Sequence, residues 1–226
     1  DFHIIRSSIA LVRGTMHIRR LFLAIMAISL FWAVGSILFI QFPPLVKNVL
    51  TADKPVASLF LAIFSIGIAI GSVAINRLLQ GHVSAKYAPA SVIGMGLCIV
   101  AFHVVCDLWA PAPNGQMLSL SEFMAHPLAL PLSLCLLGVA TFGGMFVVPL
   151  YAFLTTTVEK CEAARTVAAN NIVNSGAMVI GSLCAISLSV AGVSVVMQLL
   201  LVAVLSLPCA AMAWKLHKAC DGPICH

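Results

Sequence analysis

Between Arg165 and Lys215 lie forty-nine consecutive residues, 166–214, without a single Asp, Glu, Lys or Arg. A soluble domain carries about 25% charged residues because its surface faces water. The uncharged stretch is instead long enough for two membrane-crossing helices, each of which needs about 20 apolar residues for about 30 Å of hydrocarbon. Ala191-Gly192 interrupts it near the middle and predicts the turn between them. The rest of the chain repeats the pattern. Apolar runs between Arg20 and Lys47, around residues 56–76, from about Tyr87 to Cys106, and from about Leu128 to Thr157 predict four more spans. Pro43-Pro44 predicts a break in the first of these. With 62% hydrophobic and only 8% charged residues among 226, the chain has too little polar surface to coat a globule in water. The fold class expected is therefore an all-α membrane protein with six transmembrane helices, over residues 21–215.

The basic residues orient those helices. With both termini on one side, that side holds Arg6, Arg13, Arg19, Arg20, Arg77, Lys86, Lys160, Arg165, Lys215 and Lys218, and the other only Lys47 and Lys54. Basic loops stay in the cytoplasm, so both termini are expected there. The formal charge of +5 is thus read as an orientation signal, with no nucleic-acid partner implied. In residues 1–20, Ile5, Ile9, Val12 and Met16 recur at helical spacing among Arg6, Arg13, Arg19 and Arg20, which suits an amphipathic linker in the inner headgroup layer. Residues 216–226 are expected to form a cytoplasmic tail. In the loop of residues 107–127, Pro111, Pro113 and Asn114-Gly115 predict an irregular start, and Ser119 with Glu122 has capping-box spacing for a short outer helix. The chain opens Asp1-Phe2-His3 with neither initiator Met nor signal peptide, as a segment of a longer protein would.

Chemistry-bearing patterns are few. Cys98, Cys135, Cys184 and Cys209 lie inside apolar runs, where Cys behaves as a small hydrophobe. Cys220, Cys225, His217 and His226 gather in the tail without a standard zinc spacing, so no metal or other cofactor is expected. His103 and Asp107 are separated by three residues, as are His217 and Asp221. Glycerolipid acyltransferases use four, which points the two side chains differently. There is no Gly-rich phosphate loop or nucleophile elbow, and the chain is not read as an enzyme.

The informative polar cluster is Asn170, Asn171, Asn174 and Ser175 at the start of the fifth span. Asn170 and Asn174 stack one turn apart, as do Asn171 and Ser175. Amides in hydrocarbon are costly unless they bond another helix or line a wet cavity. They are therefore candidates either for interhelical bonding or for holding a substrate headgroup. Gln41 in the first span has the same two readings. Gly67 with Gly71, and Ala140 with Gly144, are small-residue pairs suited to close helix packing. Gly143-Gly144 followed by Pro149 would let the fourth span bend. The spans surrounding a cavity are expected to be the first, second, fourth and fifth. The third and sixth would lie outside, the sixth facing lipid with Ser194, Gln198 and Ser206 as its polar members. Apart from His103, no ionisable group lies within a span, so this chain supplies no carboxylate for proton coupling.

Gly71-Ser-Val-Ala-Ile-Asn76-Arg77, a helix end entering a short basic loop, resembles the second-half copy of the major facilitator loop motif. Gly138-Val-Ala-Thr-Phe-Gly143-Gly144-Met-Phe-Val-Val-Pro149-Leu-Tyr151 resembles the tenth helix of the lysophospholipid transporter family. Arg165-Thr-Val-Ala-Ala-Asn170-Asn171-Ile-Val-Asn174 is similar to the start of its eleventh, and Leu30-Phe31-Trp32-Ala-Val-Gly35 to its seventh. The resemblance runs from about residue 20 to 215. It implies the C-terminal half of a bacterial inner-membrane facilitator that moves lysophospholipids inward for re-acylation. A six-helix N-terminal half would be its partner, together with membrane lipids and, in fused members, an acyltransferase. Members carry a basic residue midway along the seventh helix; Phe39 stands there in this chain, so no charge-based clamp is expected from this half. Two other readings share the sequence: half of a drug or metabolite exporter of the same fold, and the membrane module of a lipid-modifying enzyme.

Overall fold

A computed structural model describes residues 2–111 and 116–220, with backbone alone at 2–5, 7 and 220. Its helices are α1 (Phe2–Met16), α2 (Arg19–Asn48), α3 (Lys54–Leu78), α4 (Ala88–Asp107), α5 (Leu120–Ala125), α6 (Ala129–Thr156), α7 (Lys160–Val190) and α8 (Val195–Cys220). Six of them, α2, α3, α4, α6, α7 and α8, are long and apolar enough to cross a membrane. The chemistry of their ends is local. Pro55 and Pro89 sit in the first turns of α3 and α4, where a missing N–H costs nothing. Gly192, with φ of 85°, turns the chain between α7 and α8 in the left-handed region that glycine adopts freely. The predicted cap forms α5: Glu122 N donates to Ser119 Oγ at 3.4 Å, and Ser119 N donates to Glu122 Oε2 at 2.8 Å. Asn114, Gly115 and the tail from Asp221 onward, with its Cys225 and His226, lie outside the described residues.

One expectation is corrected: α2 runs unbroken through Pro43-Pro44 to Asn48. The prolines remove two backbone donors, but they fall in the last two turns, where the helix is about to end. Likewise α6 continues through Pro149, since membrane helices tolerate proline where packing holds the turn.

The helices pack as two related triplets. α2 packs against α7 and α8, just as α6 packs against α3 and α4; α4 and α8 pair with each other, and α2 meets α6 near the centre. Exchanging α2, α3 and α4 for α6, α7 and α8 maps the pairs onto one another. Three crossings separate α2 from α6, so the triplets run in opposite senses. The α3–α6 contact is the tightest. A Cβ at Gly67 would sit 2.5 Å from Ala140 Cβ, one at Gly144 would sit 2.6 Å from the Ile68 carbonyl oxygen, and one at Gly71 would land on the Thr141 carbonyl. Without a hydrophobic driving force between helices in lipid, such close backbone approach is what holds a pair together.

Basic residues from the two ends of the chain meet at one end of the helix bundle. Arg19 and Arg20 share a cleft with Lys215 and Lys218, which puts the start of α2 beside the end of α8. α1 docks at this same end, on the start of α7 and on α2. At the far end, Leu118 pairs with the α2–α3 turn (Asp53 N to Leu118 O, 2.9 Å; Leu118 N to Thr51 O, 2.7 Å). Under the orientation expected from the basic loops, a reporter active only in the periplasm should give signal when fused at Asn114 and none when fused at Glu162. The reverse pattern would invert the orientation expected from the basic loops.

Candidate functional site

The asparagines of α7 do not share one fate. Asn170 and Asn174 are buried, whereas Asn171 and Ser175 are exposed on another face. Ser29 Oγ of α2 donates to Asn174 Oδ1 at 2.7 Å. Asn174 Nδ2 donates to the Tyr151 hydroxyl of α6 at 3.1 Å, and that hydroxyl also accepts from Trp32 Nε1 of α2 at 3.0 Å. Two accepted bonds occupy the phenol oxygen's lone pairs. Three helices therefore meet through a chain of polar side chains, Trp32–Tyr151–Asn174–Ser29. Asn170 lies one turn before Asn174, fully buried, and neither of its side-chain polar atoms has a partner among the described residues. A buried amide without a partner costs on the order of 1–3 kcal/mol, so its presence calls for an explanation that packing does not give.

α2 presents a half-open flank beside this junction. Ser29 and Ser36 turn toward α7, with Ser36 Oγ donating to the Met178 carbonyl at 3.3 Å, and Phe42 turns toward α3. Between those two directions lie Trp32, Phe39 and Pro43, spaced by seven and four, each half-buried or exposed. α3 and α7, which border this flank, do not touch each other. Phe39 is 37% exposed and its ring packs on Phe42 and Phe64. An aromatic wall therefore stands beside amide and phenol donors.

Gln41 falls elsewhere. It is 2% exposed and donates a short bond to Gln198 Oε1 of α8, while Gln198 Nε2 donates to Ser189 Oγ at 2.9 Å and to the Val193 carbonyl at 3.1 Å. Through Gln198, its Nε2 ties α2 to α8 beside the α7–α8 turn. The same bond corrects the expectation for the sixth span. Gln198 and Ser206 are 1% and 3% exposed, turned inward rather than to lipid, because the sixth helix packs on both α2 and α4. His103 also serves packing: Nδ1 lies 2.8 Å from the Val196 carbonyl, so it is the donor, joining α4 to α8. Gly143 and Gly144 are occupied by contact, the first against the Phe31 ring and the second against Ile68. Asn76 and Arg77 are exposed at the basic end of α3, before the turn at Gln80-Gly81.

Trp32 and Tyr151 stand in the sequence only as members of stretches of resemblance, and nothing in their spacing pairs them with each other or with Ser29. Gln198 had a signal: it and Gln41 are the only glutamines within the spans, and two buried amides in hydrocarbon tend to find each other. Among the described residues, no group of three or more His, Cys, Asp or Glu is placed to hold a metal.

These features define a multi-pass membrane protein with a buried polar junction between three of its helices. Compared with known protein families, curated proteins and solved structures, the chain matches none.

Proposed function

We propose that this chain is one six-helix half of a major-facilitator-type transporter. It would move a lysophospholipid across the bacterial inner membrane by alternating access against a second six-helix half. The observation that carries the reading is where the three stretches of resemblance meet. Trp32 belongs to Leu30–Gly35, Tyr151 to Gly138–Tyr151 and Asn174 to Arg165–Asn174, and their side chains are hydrogen-bonded to one another. Stretches as far apart in sequence as Trp32 and Tyr151, 119 positions, thus supply one polar junction.

Two further features support it. Inverted triplets of helices are the internal repeat of major-facilitator halves. Both outer members of the repeat also expose stripes of small residues. On α3 these are Ser58, Ala62, Ser65, Ala69 and Asn76, with Ser72 half-buried in the same row; on α7 they are Ala164, Ala168, Asn171 and Ser175. Small and polar residues at alternating four and three spacing suit close helix contact, and the symmetry-related helices would offer them to the second half. Asn171, exposed on that stripe, would then face the interface.

In this reading Asn170, together with Asn171 and the Tyr151 junction, offers headgroup-bonding amides without net charge, and Trp32, Phe39 and Pro43 provide the apolar wall for one acyl chain. No catalytic role is assigned to any residue. The test is uptake of labelled lysophosphatidylethanolamine in cells whose only lysophospholipid transporter is the full-length parent of this chain. Asn171→Ala should cut uptake several-fold at normal expression. No uptake by the unmutated parent ends the lipid reading and leaves the exporter of other solutes. Normal uptake by the variant assigns Asn171 to packing.

A further inference from the structure

A cavity of about 750 Å³ opens at the far end of the bundle, where α2 turns into α3. Its lining is mostly apolar, with Pro43 from α2, Ala57 from α3 and Met117 from the loop after α4, and the charged side chains in it are Lys47, Asp53 and Lys54. Lys47 and Lys54 are the two of twelve Lys and Arg that the spans separate from the rest. Basic residues are depleted on the translocated side of a membrane protein, and here both line one cavity. Lys47 is in the last turn of α2, where the helix dipole favours a cation. Lys54 is the first residue of α3, where the dipole disfavours one, and the N-cap Asp53 makes no side-chain cap bond. An anion bound at this helix N-terminus would offset that penalty.

The carboxylates of this end do not cancel the two cations. Asp53 can balance one of them. Glu122 accepts from Ser119 N and Oγ at 2.8 and 2.7 Å in the α5 cap. Asp107 ends α4 and is not among the described residues that line the cavity. Residues 112–115 of the same loop are Ala-Pro-Asn-Gly and bring no charge. One positive charge is therefore in surplus in the cavity, whichever lysine Asp53 balances. Pro43 also belongs to the half-open flank of α2, so the cavity runs on toward the aromatic wall at Phe39. Lys47 lies eight residues beyond Phe39, about 12 Å at about 1.5 Å per residue. That distance fits within one leaflet, half of about 30 Å.

We propose that this cavity is a docking site for a phosphate-headed, single-chain amphiphile. Its phosphate is held by Lys47 and Lys54 at the start of α3, and its acyl chain follows Pro43 to Phe39. Ammonium donors recognise phosphate by charge-assisted bonds, and the apolar lining selects an acylated ligand over a free anion. Asp53 weakens the hold on the phosphate, because its carboxylate repels the same charge that the lysines attract. Binding here does not depend on what the protein transports; under the proposed function, it is where a substrate head first meets the flank of α2.

The test is ligand retention by the purified, delipidated full chain, measured by native mass spectrometry. The probes are oleoyl-lysophosphatidylglycerol, monooleoylglycerol, which has the chain without the phosphate, and glycerol phosphate, which has the head without the chain. The lysolipid should be retained in preference to both. Lys47→Gln with Lys54→Gln should weaken it about thirty-fold, as expected for two cations near an anionic head. Asp53→Asn should tighten it about five-fold by removing one opposing charge. Arg19→Gln with Lys215→Gln, which removes as much charge from the basic end, should leave binding unchanged. Pro43→Trp, which fills the cavity from an exposed position, should weaken the lysolipid several-fold. Equal retention of monooleoylglycerol, equal loss in both double variants, or weaker binding by Asp53→Asn would overturn the site. Glycerol phosphate held as tightly as the lysolipid, with no effect of Pro43→Trp, would overturn the amphiphile and leave a bare anion site.

Discussion

Gly71→Leu should prevent α3 and α6 from closing, lowering the unfolding midpoint of the purified protein by more than any exposed substitution. Any side chain at this position lands on the Thr141 carbonyl, which is backbone and has nowhere to retreat. Overpacking in a close-packed interior typically costs about 1–3 kcal/mol, and here it separates the helix pair at the same place where Gly67 and Gly144 are also in contact. Gly176→Ala is the matched comparison. A Cβ at Gly176 meets nothing within 4 Å, and Ala in a helix is favoured over Gly by about 1 kcal/mol, so this variant should be as stable as the parent or slightly more so. The measurement is loss of helical circular dichroism on titration with denaturing detergent. Equal midpoints for Gly71→Leu and the unmodified chain would mean that the small-residue contact does not hold α3 to α6.

The second large effect separates two asparagines one turn apart. Asn174→Ala removes the acceptor of the buried Ser29 hydroxyl and one donor to Tyr151, whose hydroxyl keeps the bond from Trp32. A buried polar group left unpaired costs about 1–3 kcal/mol, so a clear destabilisation is expected. Asn170→Ala removes no bond, because neither polar atom of Asn170 has a partner among the described residues; stability should hold or rise as a desolvated amide is deleted. Under the proposed function the same variant should still lose most uptake of lysophosphatidylethanolamine by the full-length parent. An Asn170 variant that unfolds as readily as the Asn174 variant would show the amide to be part of the packing. One that is stable and fully active would remove Asn170 from the substrate path.

These two residues also show how far the sequence could be read. Asn170 and Asn174 were legible as a one-turn pair on a shared face, since helical periodicity is a property of the local chain. That one is hydrogen-bonded and the other is not depends on Tyr151 and Ser29, which come from different helices. Gln41 and Gln198 make the same point. Each was visible as an amide in hydrocarbon, but the sixth helix was expected to face lipid until its packing on both α2 and α4 placed Gln198 inside.

The sequence by itself determined the solvent, the number of spans and the sorting of charge. Burying charge in hydrocarbon is prohibitive, so the residues that bracket each apolar run mark its ends whatever the neighbours do. The turn at Gly192 and the cap at Ser119 were likewise local, set by backbone torsion and a three-residue spacing. Continuity of α2 through Pro43-Pro44, the pairing of Trp32 with Tyr151, and the cleft that joins Arg19 to Lys215 were decided only by tertiary structure. The physical reason is the same in each case. In lipid every helix is apolar on most faces, so hydrophobic pattern does not say which face meets which, and the choice falls to backbone approach at small residues and to a few interhelical hydrogen bonds.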